Sequence, residues 1–493
     1  MPDGRPLDLV IKNVRVVRPH RPRVERLDVG VKDGRFARVA RDIPVTDGSE
    51  TFDGRGLLAF PGAVDAHTHV GIYAPLADDA VTESRAAASG GVTTMLTYFR
   101  TGKYYLNAGG PYSEFFPRVL RESEGRYWCD YGYHLAPIQG RHVDEMASLA
   151  TEHGVTSFKI FMFYGGYGLH GTADRDTQRR FLLLDDHDRY DLAHFEFVMR
   201  AAARLAERHA ALADVVSVSL HCEVAEILEA YTRLVHDDET LTGLRAYSAA
   251  RPPHSEGLGV WIAAYLAQET ACRNVNLLHL SSRKALESAI LASRAMPHID
   301  FRREVTIGHL LLDCDTADVR AKVNPPIRPR DDVEYLWQAV LAGHVDWVVS
   351  DHACCSTEVK FAAERPDDVW LAKAGFGGTE YLLPALLSEG RRRGLAEHRI
   401  AELTSWNPAQ RFGLGTKGDI APGYDADLAL VDPDRRVTIR AADSLSAQGY
   451  TPFEGVELSA RVQATFLRGA LTYDNGKLAG PARGRYLKRP TTL

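Results

Sequence analysis

Two histidines separated by one residue end the run Phe60-Pro61-Gly62-Ala63-Val64-Asp65-Ala66-His67-Thr68-His69. Side chains of a strand repeat every second residue, so both imidazoles would project from one face. Side by side at a strand end they can chelate one divalent ion, and imidazole suits zinc well. Read alone, the pair also fits solvated or hydrogen-bonded histidines. The decision rests on partners elsewhere in the chain. Four later apolar runs bring candidates: 157–162 with Lys159, 215–221 with His221, 275–279 with His279 and 345–351 with Asp351. If these strands run parallel in one barrel, their C-terminal ends share the face where barrel active sites sit. Lys159 is the odd member, because an ammonium repels metal and has no acceptor. It is either a buried ion-paired lysine or, after reaction with CO₂, an anionic carbamate able to bridge two cations.

The elements that would position these residues follow from the pattern around them. From Phe60 onward, apolar strands alternate with helical stretches at 82–90, 195–209 and 257–269. Repeated strand-then-helix units over some 350 residues predict an α/β fold, a parallel (β/α)8 TIM barrel. An open doubly wound sheet competes, but no Gly-x-Gly-x-x-Gly follows an early strand. Residues 7–58 read instead as short strands, with Lys32-Asp33-Gly34-Arg35 as a hairpin turn. Strands return after Leu414, with a second hairpin at Asp474-Asn475-Gly476-Lys477. The expected division is a small β-sandwich built from both terminal segments, 1–58 and 415–493, around a barrel at 59–414.

Bulk properties narrow the function classes. At 493 residues the chain is too long for one small core. A net charge of −6 gives no electrostatic argument for nucleic acid or an acidic membrane surface. No apolar run approaches the ~20 residues of a membrane helix, and the N-terminus lacks the form of a signal peptide. Six scattered cysteines without a Cys-x-x-Cys pair fit a reducing cytosol, so a cytoplasmic protein is expected.

Several motifs, in order, resemble the amidohydrolase superfamily. They are the His-x-His run, Ser157-Phe158-Lys159-Ile160-Phe161-Met162, Leu278-His279-Leu280-Ser281, Val323-Asn324-Pro325-Pro326-Ile327-Arg328, Ser350-Asp351-His352 and Asn407-Pro408-Ala409. Within that superfamily the chain is similar to the cyclic-amidase branch of dihydropyrimidinases, hydantoinases, allantoinases and dihydroorotases. The resemblance implies two zinc ions per chain. His67, His69 and Asp351 would hold one, His221 and His279 the other, with N6-carboxylated Lys159 bridging both. A hydroxide shared by the ions would attack the carbonyl of a cyclic amide such as a hydantoin, dihydropyrimidine or imide. Asp351 would move the proton to the leaving nitrogen, and Tyr164 would steady the oxyanion. A rim tyrosine packed under its loop is the plainer reading of Tyr164. His352 is expected to support the site rather than ligate. Cys222 and Glu223 are assigned no role. A homo-oligomer, tetramer or else dimer, is also implied.

The chain departs from the family pattern in places. No arginine follows the His-x-His until Arg85, which argues against dihydroorotate. Hydantoinases grip the ring amide through backbone groups, and the matching positions here are Asn324 and Ala374, with Gly375 beside it. The segment 164–191 is long, and the loop 100–117 carries Tyr104, Tyr105 and Tyr112. Both are expected to be lids that shape the pocket or contacts between subunits. Three alternatives stay open: an allantoinase- or dihydroorotase-like enzyme with another ring, a mononuclear deaminase, and a catalytically silent scaffold.

Overall fold

The computed structural model describes residues 7–165, 181–184 and 188–493, and for Tyr164 and Gly165 the backbone alone. Eight parallel strands form one sheet in chain order: Ala63–Thr68, Val92–Phe99, Asp130–Leu135, Ser157–Phe161, Ser217–His221, Asn274–Leu277, Asp300–Thr306 and Trp347–Val349. A parallel bridge between Thr68 and His352 joins the first strand to the chain just past the last, and the His69 N–H donates to the His352 carbonyl at 2.7 Å. This is the expected barrel. Most of its strands are buried along their whole length, as strands covered on both faces must be.

Two of the eight, Asp130–Leu135 and Asp300–Thr306, have no counterpart in the sequence reading. Their sequences, Asp-Tyr-Gly-Tyr-His-Leu and Asp-Phe-Arg-Arg-Glu-Val-Thr, interrupt apolar character with charge and glycine. The first barrel helix begins at Leu76 rather than 82, behind Pro75, with Asp78 and Asp79 in its first turn, where acidic groups favour the helix dipole. The helix expected at 195–209 spans Leu192–Arg208, capped by the Asp191 carboxylate on the His194 N–H at 3.2 Å.

Both terminal segments pair into a second, nine-stranded mixed sheet with its own core of Leu9, Val29, Phe36, Leu428 and Phe466. Asp33 and Gly34 turn one hairpin, and Asn475 and Gly476 the other, all at positive φ. The strand Leu58–Pro61 lies between Leu7–Arg18 and Leu428–Asp432. After Gly62 alone, the chain enters the barrel strand that ends in His67 and His69. An ideal Cβ on Gly62 would lie 2.1 Å from the Thr93 hydroxyl, so only glycine fits that passage.

A buried ion cluster ties sheet to barrel. The Lys417 ammonium contacts Asp130 at 2.8 Å, Asp427 at 2.6 Å and Asp425 at 3.1 Å, and Arg468 also binds Asp130. Burial alone would neutralise Lys417, but the three carboxylates outweigh it and hold the ammonium charged. No helix among the described residues is long and apolar enough to cross a membrane. Lys417→Met strands buried carboxylates at the junction and is expected to cost about 3–5 kcal/mol. An unchanged midpoint in chemical denaturation would show that the cluster contributes nothing net.

Candidate metal centre

The barrel mouth brings together all six residues singled out by strand-end chemistry. Nε2 of His67 lies 3.1 Å from Nζ of Lys159 and 3.2 Å from Oδ1 of Asp351. Nε2 of His69 lies 3.4 Å from the same Asp351 oxygen. The His279 ring centroid is 5.3 Å from that of His67 and 4.3 Å from that of His221. Donor atoms of His67, His279 and Asp351 all fall within 4.8 Å of one another. Both His279 and Asp351 take left-handed backbone conformations, at φ of 34° and 55°. Each such residue costs about 1–3 kcal/mol, strain of a kind that gathers at functional sites.

Each of three imidazoles has one nitrogen committed to a supporting group, which decides the nitrogen that faces the centre. Nδ1 of His67 meets Glu304 at 2.7 Å, and Nδ1 of His69 meets the Tyr105 hydroxyl at 2.8 Å, so both present Nε2. His221 is the reverse: Nε2 meets Glu223 at 2.6 Å, leaving Nδ1. Nδ1 of His279 is buried with no hydrogen-bond partner among the described residues. Glu304 also accepts from the His279 N–H and from the Trp347 indole, so one carboxylate braces two strand ends.

Burial dominates the electrostatics. It pushes all four histidines down, His221 to about 4, and so keeps them neutral with a free lone pair. Burial likewise lowers Lys159 to about 7, against the pull of Asp351 and Glu304. Asp351 goes the other way: His67, His69 and Lys159 overcome its burial and hold it below the usual carboxylate range. Glu223, despite burial, is held at about 2 by Arg251 and His221. Neutral imidazoles, an ionised carboxylate and a lysine near neutrality make a donor set for divalent metal.

Glu304 and Glu223 are the residues that sequence reasoning missed. Glu304 sat on an unrecognised strand, and Glu223 had been given no role. The signal for Glu223 was its spacing, because His-x-Glu puts a carboxylate beside the imidazole in a strand or its extension. Tyr105, one of three tyrosines in the 100–117 loop, supports His69, whereas the Tyr112 hydroxyl is spent on the Ala136 carbonyl. His352 accepts two backbone N–H groups through Nδ1 and pairs with Glu83 through Nε2, so both of its ring nitrogens are engaged away from the centre. Asn324, Ala374 and Gly375 line the pocket above the centre with Tyr73, Val323 and Ala353. The Tyr73 hydroxyl donates to the Ala374 carbonyl at 2.7 Å. The Tyr164 side chain and most of the 164–191 segment lie outside the described residues.

Known proteins place this arrangement. Residues 198–472 match the model of the amidohydrolase family. The chain is 35% identical to an allantoinase of Rubrobacter xylanophilus over 98% of its length and 97% of that protein's. It is 31% identical to an allantoinase of Deinococcus radiodurans, over 99% of this chain and 100% of the other. A dihydropyrimidinase structure from Brevibacillus agri superposes with a TM-score of 0.82 at 26% identity, covering 98% of this chain and 99% of that one. The chain belongs to the amidohydrolase family, in the cyclic-amidase branch that holds these relatives.

Proposed function

We propose that the chain hydrolyses a ring C–N bond of a cyclic amide, with allantoin as the first substrate to try. One observation carries this reading: four imidazoles, a lysine and a carboxylate converge on one barrel mouth. The allantoinase relatives favour allantoin among the rings.

The residues fit a pair of zinc ions. His67, His69 and Asp351 would hold one, His221 and His279 the second, and Lys159 would serve both as its carbamate. The partnerless Nδ1 of His279 and the neutral rings support that assignment. With its amine near neutrality, Lys159 can add CO₂, forming an N–C bond and releasing one proton. When bound, such ions supply Lewis-acid polarisation of a carbonyl and acidify water. Asp351, ionised and at the pocket floor, takes a proton from the attacking water and returns it to the leaving ring nitrogen. Tyr164 is proposed to donate to the developing oxyanion, on the strength of its position after the lysine motif. The backbone at Asn324, Ala374 and Gly375 is proposed to orient the ring. The expected cytoplasmic setting agrees with six buried cysteines that form no disulfide. The exposed Phe197, Trp261 and Tyr265 on barrel helices offer surface for assembly into a dimer or tetramer.

The deciding experiment offers zinc-loaded protein allantoin, hydantoins, dihydrouracil, dihydroorotate and cyclic imides, scored by ring opening. Allantoin should open, and Asp351→Asn should slow it by about 10²–10⁴-fold. Failure on every ring defeats the reading. Metal loading is expected to respond to pH in a set direction. The Lys159 amine is mostly protonated below about 7 and neutral above it, and only the neutral amine adds CO₂. Metal-stripped protein should therefore regain two zinc ions faster at pH 8 with bicarbonate than at pH 6, as read by elemental analysis; Lys159→Ala should abolish that difference. Glu223→Gln, which weakens the support of His221, should lower the affinity of one metal about 10–100-fold. Equal loss of both metals would argue that Glu223 acts on the fold instead.

A further inference from the structure

The helix Gly243–Ala250 and the residue just beyond it carry two buried side chains that the proposed chemistry leaves unused, Tyr247 and Arg251. Arg251 donates to both carboxylate oxygens of Glu223, through Nε at 3.0 Å and also through Nη2. The same guanidinium lies 5.8 Å from the centroid of the Tyr247 ring. The Tyr247 hydroxyl donates to Oδ1 of Asn324, 2.5 Å away, since an amide oxygen can only accept. An amide that accepts through Oδ1 turns its NH₂ elsewhere. Nδ2 of Asn324 is buried without a hydrogen-bond partner among the described residues. Asn324 itself, nine-tenths buried, lines the same pocket as Lys159, His279 and Asp351.

We infer that Tyr247 is a positioning residue that locks the Asn324 side-chain amide with its NH₂ facing the pocket, where it donates to a carbonyl oxygen of the ring substrate. The identity of the acceptor rests on the cyclic-amide reading above; the lock does not. Released from the phenol, the amide can rotate and offer its oxygen, which attracts an N–H and repels a carbonyl. The lock thus selects rings that present an acceptor to this wall. The nearby backbone is held separately: Nζ of Lys360 donates to the carbonyls of Lys322 and Gly375 at 2.9 and 2.8 Å. Removing the phenol hydroxyl alone therefore leaves the loop in place.

The test is a double-mutant cycle on the metal-loaded enzyme with Tyr247→Phe, Asn324→Ala and the two combined. It reads KM, kcat and metal content, beside crystal structures of the wild type and Tyr247→Phe. Either single change should raise KM about tenfold, the loss of one hydrogen bond, with kcat held within about twofold and metal retained. The double variant should be no worse than Asn324→Ala alone, because the phenol acts only through the amide. Additive losses, a fall in kcat with KM unchanged, or a wild-type crystal structure with Asn324 turned away from Tyr247 each overturn the inference. If the wild type opens no ring, the functional reading fails, and the crystal structure still decides whether the lock exists.

Discussion

Four imidazoles and a lysine amine cannot share a dry pocket with one carboxylate and all carry charge. Burial resolves the conflict by stripping protons from the rings and lowering the lysine towards neutrality. What is left is a set of inward lone pairs around a single anion, Asp351. Such a set is poorly stabilised on its own, since neutral donors and acceptors buried without partners cost free energy. The strained backbone at His279 and Asp351 adds to that cost. The surrounding shell offsets it with fixed hydrogen bonds: Glu304 on His67 and His279, Tyr105 on His69, and Glu223 on His221. A site of this kind is held in shape by its supports rather than by its own contacts.

Those supports were largely invisible in the sequence, although the inner residues were not. His67, His69, Lys159, His221, His279 and Asp351 stood out because each closes or sits in an apolar run. Period-two alternation then fixed the face of the paired histidines. The (β/α)8 barrel followed from the same runs. Glu304 escaped because its strand reads Asp-Phe-Arg-Arg-Glu-Val-Thr, whose charges belong to ion pairs at the strand's far end, where Arg302 and Arg303 meet Asp346. Only pairing between Asn274–Leu277 and Trp347–Val349 makes that segment a strand. Local pattern cannot report such tertiary context.

The links between distant segments were the other hidden layer. Nothing in the local sequence joins Glu83 to His352, or Tyr247 to Asn324, because these pairs meet only after the barrel closes. The same holds for Lys417 with its three carboxylates. Helix starts were misjudged for a related reason. Leu76–Ser89 starts behind a proline, with an acidic first turn that breaks the apolar pattern before 82.

The strand Leu58–Pro61 has a bearing on biosynthesis. Its neighbour Leu428–Asp432 is made some 370 residues later, and residues near the C-terminus close further gaps, with Arg489 reaching Ser157 and the Tyr133 carbonyl. A ribosome-bound nascent chain can stack most of the barrel while the platform beneath its first strand still lacks a side. Such long-range pairing slows folding. Maturation of the centre therefore waits for the chain beyond residue 428, and a product cut before Leu428 would keep the strand Leu58–Pro61 with Leu7–Arg18 as its one neighbour.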